Sequence, residues 1–202
     1  MPLTKTQAEG INLADTFAFT GTVSGAGDMQ LLATSSSTST VTEVDITLPS
    51  GYDNYYLHII AKGDQSSSTN FQLQDKMDGD SSFTTSNYTT QVKLMDVTNN
   101  QTNTNSGGSN KLLSTASGSN SNYSHNIFLN GYGRTDVASS ISGTSTKGLS
   151  SASATWVFGG SHTTEATSLK KVVEVRYKPS QGNIVQMYYK LYGIVSTWQD
   201  ID

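Results

Sequence analysis

The histidines, carboxylates and serines are the side chains of this chain that could carry out catalysis, and their spacing matches no catalytic signature. The sequence has no G-x-S-x-G elbow, no H-E-x-x-H pair, no Walker loop and no G-x-G-x-x-G turn. The three histidines, His58, His125 and His162, are scattered, and the chain has no cysteine to complete a metal site with them. His58 and His125 fall within predicted strands, so we interpret them as packed or surface residues. We predict a protein that is not an enzyme and holds no cofactor.

One group of carboxylates, in the stretch "DKMDGD", could bind a cation. Asp75, Asp78 and Asp80 surround a glycine, and Ca²⁺ prefers oxygen-rich loops. The stretch lacks the alternating acids and the distal Glu of an EF-hand, whereas Asp-Gly is a strong hairpin signal. We therefore predict a turn and no metal, with a bound cation as the alternative. A glycosidase pair of acids from distant strands also stays open.

A polar stretch from Asn99 to Asn122 is the candidate ligand-binding segment. It is predicted to be a loop, and its amides and hydroxyls suit the hydroxyl groups of a glycan. The candidate binding residues are Asn103, Asn105, Asn110 and Tyr123, the last as a ring that could stack on a sugar. The alternative is a solvated loop without a ligand. Trp156 alternates with Phe158 in "SATWVFGG", so we predict that it packs in the core.

The elements that would position these residues are strands. Apolar residues alternate with polar ones in short segments separated by turn-rich gaps, and no segment sustains a helical stripe. The predicted strands are 29–34, 41–48, 55–61, 71–77, 88–97, 123–131, 154–158, 172–178 and 184–195. Nine strands favour an all-β fold, a jelly-roll-like antiparallel β-sandwich over residues 29–202. An immunoglobulin-like sandwich is the alternative.

The last predicted strand, "IVQMYYKLYGI", has two partly apolar faces. One face carries Met187 and Leu191, and the other carries Tyr188, Tyr192 and Ile194. The second face needs a cover, and we predict that a neighbouring subunit of a homo-oligomer, a trimer, supplies it. A second sheet or a loop of the same chain is the alternative cover.

Residues 1–28 differ from the rest of the chain. They contain a short alternation at Phe17 and Phe19 followed by several glycines, and so short a strand cannot bury itself. We predict an extended N-terminal arm that docks on a partner through these two rings. An edge strand of the main domain is the alternative.

Composition excludes several partners. A net charge of −4, a pI near 5.2 and no basic cluster longer than Lys170-Lys171 argue against nucleic-acid binding. No apolar run is long enough for a membrane helix, so we expect no membrane insertion. The N-terminus has no hydrophobic segment of a signal peptide, although the uncharged polar composition is typical of proteins that work outside cells. A virion protein, folded in the host cytoplasm and released by lysis, would combine both properties.

Four stretches carry a resemblance to bacteriophage tail-fibre and virion structural proteins: "GINLADTFAFTGTVSGAG", "LPSGYDNYYLHII", "FQLQDKMDGDSSFTTSNYTTQ" and "YKPSQGNIVQMYYKLYGI". The chain differs from that family pattern in reading DGD rather than DGG and in continuing eight residues past "LYGI". The resemblance implies an oligomeric tail-fibre or adhesin subunit. Its N-terminal arm would bind other virion proteins and its sandwich would contact a host-surface glycan. The alternatives are a head-decoration or tail-structural subunit without a receptor role, and a carbohydrate-binding module.

Overall fold

The computed structural model describes residues 29–64, 70–95, 102–114, 122–148, 153–162 and 169–194. The predicted arm, with Phe17 and Phe19, lies outside these residues. All regular structure within the described ranges is β-strand, so they contain no helix that could cross a membrane. The prediction of an all-β chain is confirmed.

Twelve strands make up the structure. In chain order they are β1 (Met29–Ser37), β2 (Val44–Thr47), β3 (Asn54–Gly63), β4 (Phe71–Met77), β5 (Tyr88–Met95), β6 (Thr102–Gly108), β7 (Lys111–Leu112), β8 (Asn122–Asn130), β9 (Ser140–Gly148), β10 (Ser153–His162), β11 (Val172–Pro179) and β12 (Ile184–Ile194).

These strands form two antiparallel sheets. The large sheet has eight strands in the order β1-β12-β3-β8-β9-β10-β5-β6, and the small sheet has four in the order β2-β11-β4-β7. The chain passes repeatedly between the sheets, since β2, β4, β7 and β11 alternate along the sequence with strands of the large sheet. The prediction of a β-sandwich is confirmed, while its finer form, a jelly roll, stays a prediction.

The core lies between the two sheets and follows from alternation within the strands. In β3 the inward positions Tyr55, Leu57, Ile59 and Ala61 are all at most 2% exposed. The small sheet contributes a matching inward set in β11, where Val175 and Tyr177 are fully buried. Trp156 is 1% exposed, so its predicted place in the core is confirmed.

All nine predicted strands exist, but three further strands were not predicted. β9 was missed altogether, and β6 and β7 both lie within the stretch predicted to be a loop. The loop prediction for 99–122 is therefore wrong for residues 102–108, which pair with β5, and for Lys111–Leu112, which pair with β4.

The predicted turn at "DGD" is confirmed, but it is not a hairpin turn, because β4 and β5 on either side of it belong to different sheets. The backbone N–H of Asp80 donates to the carbonyl of Met77 at 3.0 Å, and Gly79 has a φ of +80°, which favours glycine. The three nearby carboxylates do not converge, because Asp75 points into the sandwich and Asp80 pairs with Lys170 at 2.8 Å. Among the described residues, no three acidic, histidine or cysteine side chains are grouped as metal ligands.

Candidate functional site

The candidate site is the outer face of the large sheet, the side away from the small sheet. We define the outer face by alternate residues that point there from six adjacent strands. They are Tyr188, Lys190, Tyr192 and Ile194 of β12, Tyr56, His58, Ile60 and Lys62 of β3, Ser124, Asn126, Phe128 and Asn130 of β8, Ser142, Thr144 and Thr146 of β9, Thr155 and Val157 of β10, and Lys93 of β5, with Leu31 of β1 at the edge.

A row of apolar side chains crosses four neighbouring strands of this face. Leu31, Tyr192, Tyr56 and Phe128 are successive register partners. The Tyr56 ring centroid lies 5.1 Å from that of Phe128 and 5.9 Å from that of Tyr192. Leu31 is 50% exposed and Phe128 is 42% exposed. We call these four residues the aromatic row, and they form an open apolar strip on the surface.

Polar side chains beside the aromatic row are held by hydrogen bonds. The Tyr56 hydroxyl donates to Oδ1 of Asn126 at 2.6 Å, and Nδ2 of Asn126 lies 3.5 Å from Oγ1 of Thr144. Further along the face, Nδ2 of Asn130 donates to Oγ of Ser142 at 3.3 Å. These contacts orient amide and hydroxyl groups next to aromatic rings, an arrangement that suits polyhydroxylated ligands.

The strands of the outer face carry positively charged side chains and no negatively charged ones. None of the eight strands of the large sheet contains an Asp or a Glu, whereas Lys190 of β12 and Lys93 of β5 lie in one cross-strand row. Burial, with a smaller contribution from Lys190, lowers the pKa of His58, which keeps this imidazole neutral at pH 7. The pKa of Tyr188 is also lowered, by hydrogen bonds from Thr34 and then from Lys190.

The small sheet presents a different surface. Nε of Arg176 donates to Asp45 at 2.7 Å and its Nη1 lies 3.0 Å from Glu43, while Lys76 pairs with Glu174 at 3.3 Å. Pairs of this kind are typical of a solvated surface and contribute little to stability. The two outer surfaces of the sandwich therefore differ in both charge and apolar content.

The structure brings together the three predicted interface residues. Tyr188, Tyr192 and Ile194 all lie on the outer face and are half-buried. The small sheet packs against the opposite side of β12, where Met187 and Leu191 belong to the core. The small sheet therefore does not cover these three residues, and cover by a neighbouring subunit or by a loop of the same chain stays a prediction.

The predicted glycan-binding residues do not form a site together. Tyr123 is 3% exposed and packs edge-on against Phe71 with a centroid distance of 4.8 Å, so its prediction as a surface ring is wrong. Asn110 lies in the turn between β6 and β7, where its Nδ2 donates to Ser109 at 3.0 Å. The backbones of Asn103 and Asn105 belong to β6, opposite Val92 and Thr90.

Sequence reasoning missed the central members of the outer face. Tyr56, Phe128 and Asn126 were not singled out, although the alternation that places their neighbours in the core also places them outside. The sequence does contain one indication of this face, a large aromatic residue at a position of the polar face in both β3 and β8. Strand order, which the sequence does not reveal, is what joins these residues to Tyr192.

A small pocket at the edge of the sandwich is a weaker candidate. It lies between β1, β2 and β12 and encloses about 170 Å³ including open solvent. Pockets for small ligands usually enclose at least ~300 Å³. Its lining residues are Ser35, Ser36, Ser37, Val44, Met187 and Tyr189.

Comparisons of the chain with protein-family models, with curated proteins and with solved structures gave no match. The geometry of the outer face and the resemblance in the sequence are therefore the grounds for a functional proposal.

Proposed function

We propose that the protein is a non-enzymatic structural subunit of a bacteriophage particle, a tail-fibre or adhesin subunit that associates with further copies of itself through the outer face. The aromatic row carries this proposal, because an exposed strip of Leu31 and Phe128 with two tyrosines between them marks an interaction surface. The resemblance supports the assignment to a phage particle, with a trimer as the expected assembly.

The outer face is too small to form a stable protein–protein interface alone. Six neighbouring strands, β12 to β5, span five strand spacings or about 24 Å, and six residues along a strand add about 20 Å. The resulting area of roughly 500 Å² is smaller than the ~800 Å² per partner of a stable interface. A stable oligomer therefore needs a further contact, which we assign to the N-terminal arm, residues 1–28.

The oligomeric state tests the proposal directly. Sedimentation velocity at micromolar concentration should show a trimer of the full chain, and Phe128→Lys should shift it toward monomer because a charge would enter the apolar strip. Thr47→Lys is the matched control, since Thr47 is exposed on β2 of the small sheet. A wild-type chain that stays monomeric, or an equal effect of both substitutions, would contradict the proposal.

Carbohydrate binding is a second candidate function for the outer face. It is favoured by Asn126, whose amide is fixed by Tyr56 and Thr144 beside exposed aromatic rings. Rings of this kind stack on pyranose faces while neighbouring amides bond to the sugar hydroxyls. Binding on a glycan array that is lost in Phe128→Ala and kept in Thr47→Lys would support it. An array without binding for the full chain would exclude this function for the glycans tested.

A further inference from the structure

A buried acid and a buried amine meet inside the sandwich. Asp75 of β4 and Lys111 of β7 are both fully buried, and Nζ of Lys111 contacts Oδ2 of Asp75. Register explains the meeting, because Lys111 lies opposite Leu73 and Asp75 is two residues further on the same strand. Side chains in such diagonal positions are within reach of a long lysine.

A tyrosine hydroxyl bridges the two groups. Tyr132, in the turn after β8, accepts a hydrogen bond from Nζ of Lys111 at 2.8 Å and donates one to Oδ1 of Asp75 at 3.1 Å. The backbone N–H of Asp75 donates to the Tyr88 hydroxyl at 2.8 Å. All four side chains are 0% exposed, so water is excluded from the carboxyl and the amine.

Aromatic rings enclose the amine. Nζ of Lys111 lies 4.9 Å from the centroid of the Tyr132 ring and 5.3 Å from that of Tyr88. No other charged side chain of the described residues pairs with either Asp75 or Lys111. An ion pair at such a site has lost its hydration, and one proton transfer converts it to an uncharged amine beside an uncharged carboxylic acid. The uncharged amine is a nucleophile in contact with an oxygen of this carboxyl group.

We propose that Lys111 and Asp75 join in an intramolecular isopeptide bond between Nζ and Cγ. The lone pair of the uncharged amine attacks Cγ of the protonated Asp75 carboxyl group and forms a tetrahedral intermediate. The Tyr132 hydroxyl takes a proton from the nitrogen and gives its own proton to the departing hydroxyl oxygen. The C–O bond then breaks, an amide forms and one water molecule leaves, with no oxidation or reduction. Contact between the reacting groups removes the entropic cost of bringing them together.

The location of the bond gives it a structural consequence. β7 has only two residues and lies at the edge of the small sheet, where it pairs with β4 through Gln72 and Leu73. A covalent link from Lys111 to Asp75 fastens this short strand to its neighbour. The chain has no cysteine, so no disulfide does so.

Mass spectrometry of the full chain tests the proposal. Under denaturing conditions the intact mass should be lower than the sequence mass by one water molecule. Trypsin should then release a branched product that joins residues 63–76 to residues 94–134, because a linked Lys111 no longer permits cleavage. An intact mass equal to the sequence mass, with residues 63–76, 94–111 and 112–134 released as three separate peptides, would overturn the proposal even if every variant failed to fold.

Two variants distinguish formation of this bond from other reactions of the chain that release water. Lys111→Met cannot form the bond and should show the full sequence mass. The same loss in Lys111→Met would indicate dehydration elsewhere, such as a succinimide at Asp78-Gly79, and would also overturn the proposal. Tyr132→Phe keeps the ring and removes the bridging hydroxyl, so the bonded fraction should rise more slowly with time after synthesis. An unchanged rate in Tyr132→Phe would remove Tyr132 from the reaction as proposed.

Discussion

Acid should destabilise this protein through one buried histidine. His125 is fully buried, and its ring lies 5.5 Å from those of Phe71 and Tyr177 and 5.9 Å from that of Tyr123. Neither ring nitrogen has a hydrogen-bond partner within the described part of the chain. Burial, with a smaller contribution from His58, lowers the pKa of His125 to about 3.

The sign and the size of the effect follow from proton linkage. Above pH 6.5 the imidazole is neutral in both the folded and the unfolded chain, so it adds no pH dependence. Below pH 6.5 the unfolded chain binds a proton that folded His125 does not, and the free energy of unfolding falls as the pH falls. The loss is about 3 kcal/mol at about pH 4.5 and about 4 kcal/mol at about pH 3, and it levels off near 5 kcal/mol at still lower pH.

Urea unfolding of the wild type and of His125→Phe measures this loss. Phenylalanine keeps an aromatic ring among Phe71 and Tyr177 and cannot take up a proton. Between about pH 7 and about pH 4.5 the variant should lose about 3 kcal/mol less than the wild type, although both chains share every other titrating group. His58→Gln is the control and should differ from the wild type by much less than His125→Phe does, since His58 is only partly buried. Equal losses in the wild type and His125→Phe would refute the reasoning.

Two further substitutions test packing and surface charge. Gly143→Ala should lower the free energy of unfolding by about 1–3 kcal/mol, because its Cβ would lie 2.0 Å from the carbonyl oxygen of Asn126. Thermal unfolding compares it with Gly148→Ala, where nothing lies within 4 Å and little change is expected. Arg176→Gln should cost at most about 1 kcal/mol, because its pairs with Asp45 are partly exposed. That cost should shrink further in urea unfolding at high salt, and a salt-independent loss would contradict a surface role.

Strands with alternating apolar residues could be predicted from the sequence, and β9 shows why others could not. β4 was predicted with its observed bounds, Phe71–Met77. The sequence of β9, "SISGTSTKG", is polar because its inward positions face large neighbours. Gly143 pairs with Phe158 and Ser145 pairs with Trp156, so the space beneath β9 is filled by rings from β10. A strand can therefore be central and still lack an apolar pattern.

The candidate site, too, could be predicted from the sequence only in part. The three predicted residues of β12 do lie on an open face, because that prediction used only the alternation within one strand. Tyr123 is predicted as a ring that stacks on a sugar, although alternation with the buried His125 and Ile127 places it inside the sandwich. The aromatic row needs the order β1-β12-β3-β8, in which neighbours in space are far apart in sequence. The alternation of residues within one strand carries no information about the order of strands in the sheet.

Two lysines of the large sheet, Lys190 and Lys93, restrict how two copies can meet in the proposed oligomer. Lys190 and Lys93 lie in one cross-strand row about 24 Å apart, too far to repel each other at physiological salt. No acid of the large sheet could pair with them across a face-to-face stack of two copies, so such a stack would bury unpaired charges. The aromatic row lies two residues, or about 7 Å, from Lys190 and reaches the sheet edge at Leu31. A contact centred at that edge keeps both lysines in solvent, which favours a ring of subunits over a face-to-face pair.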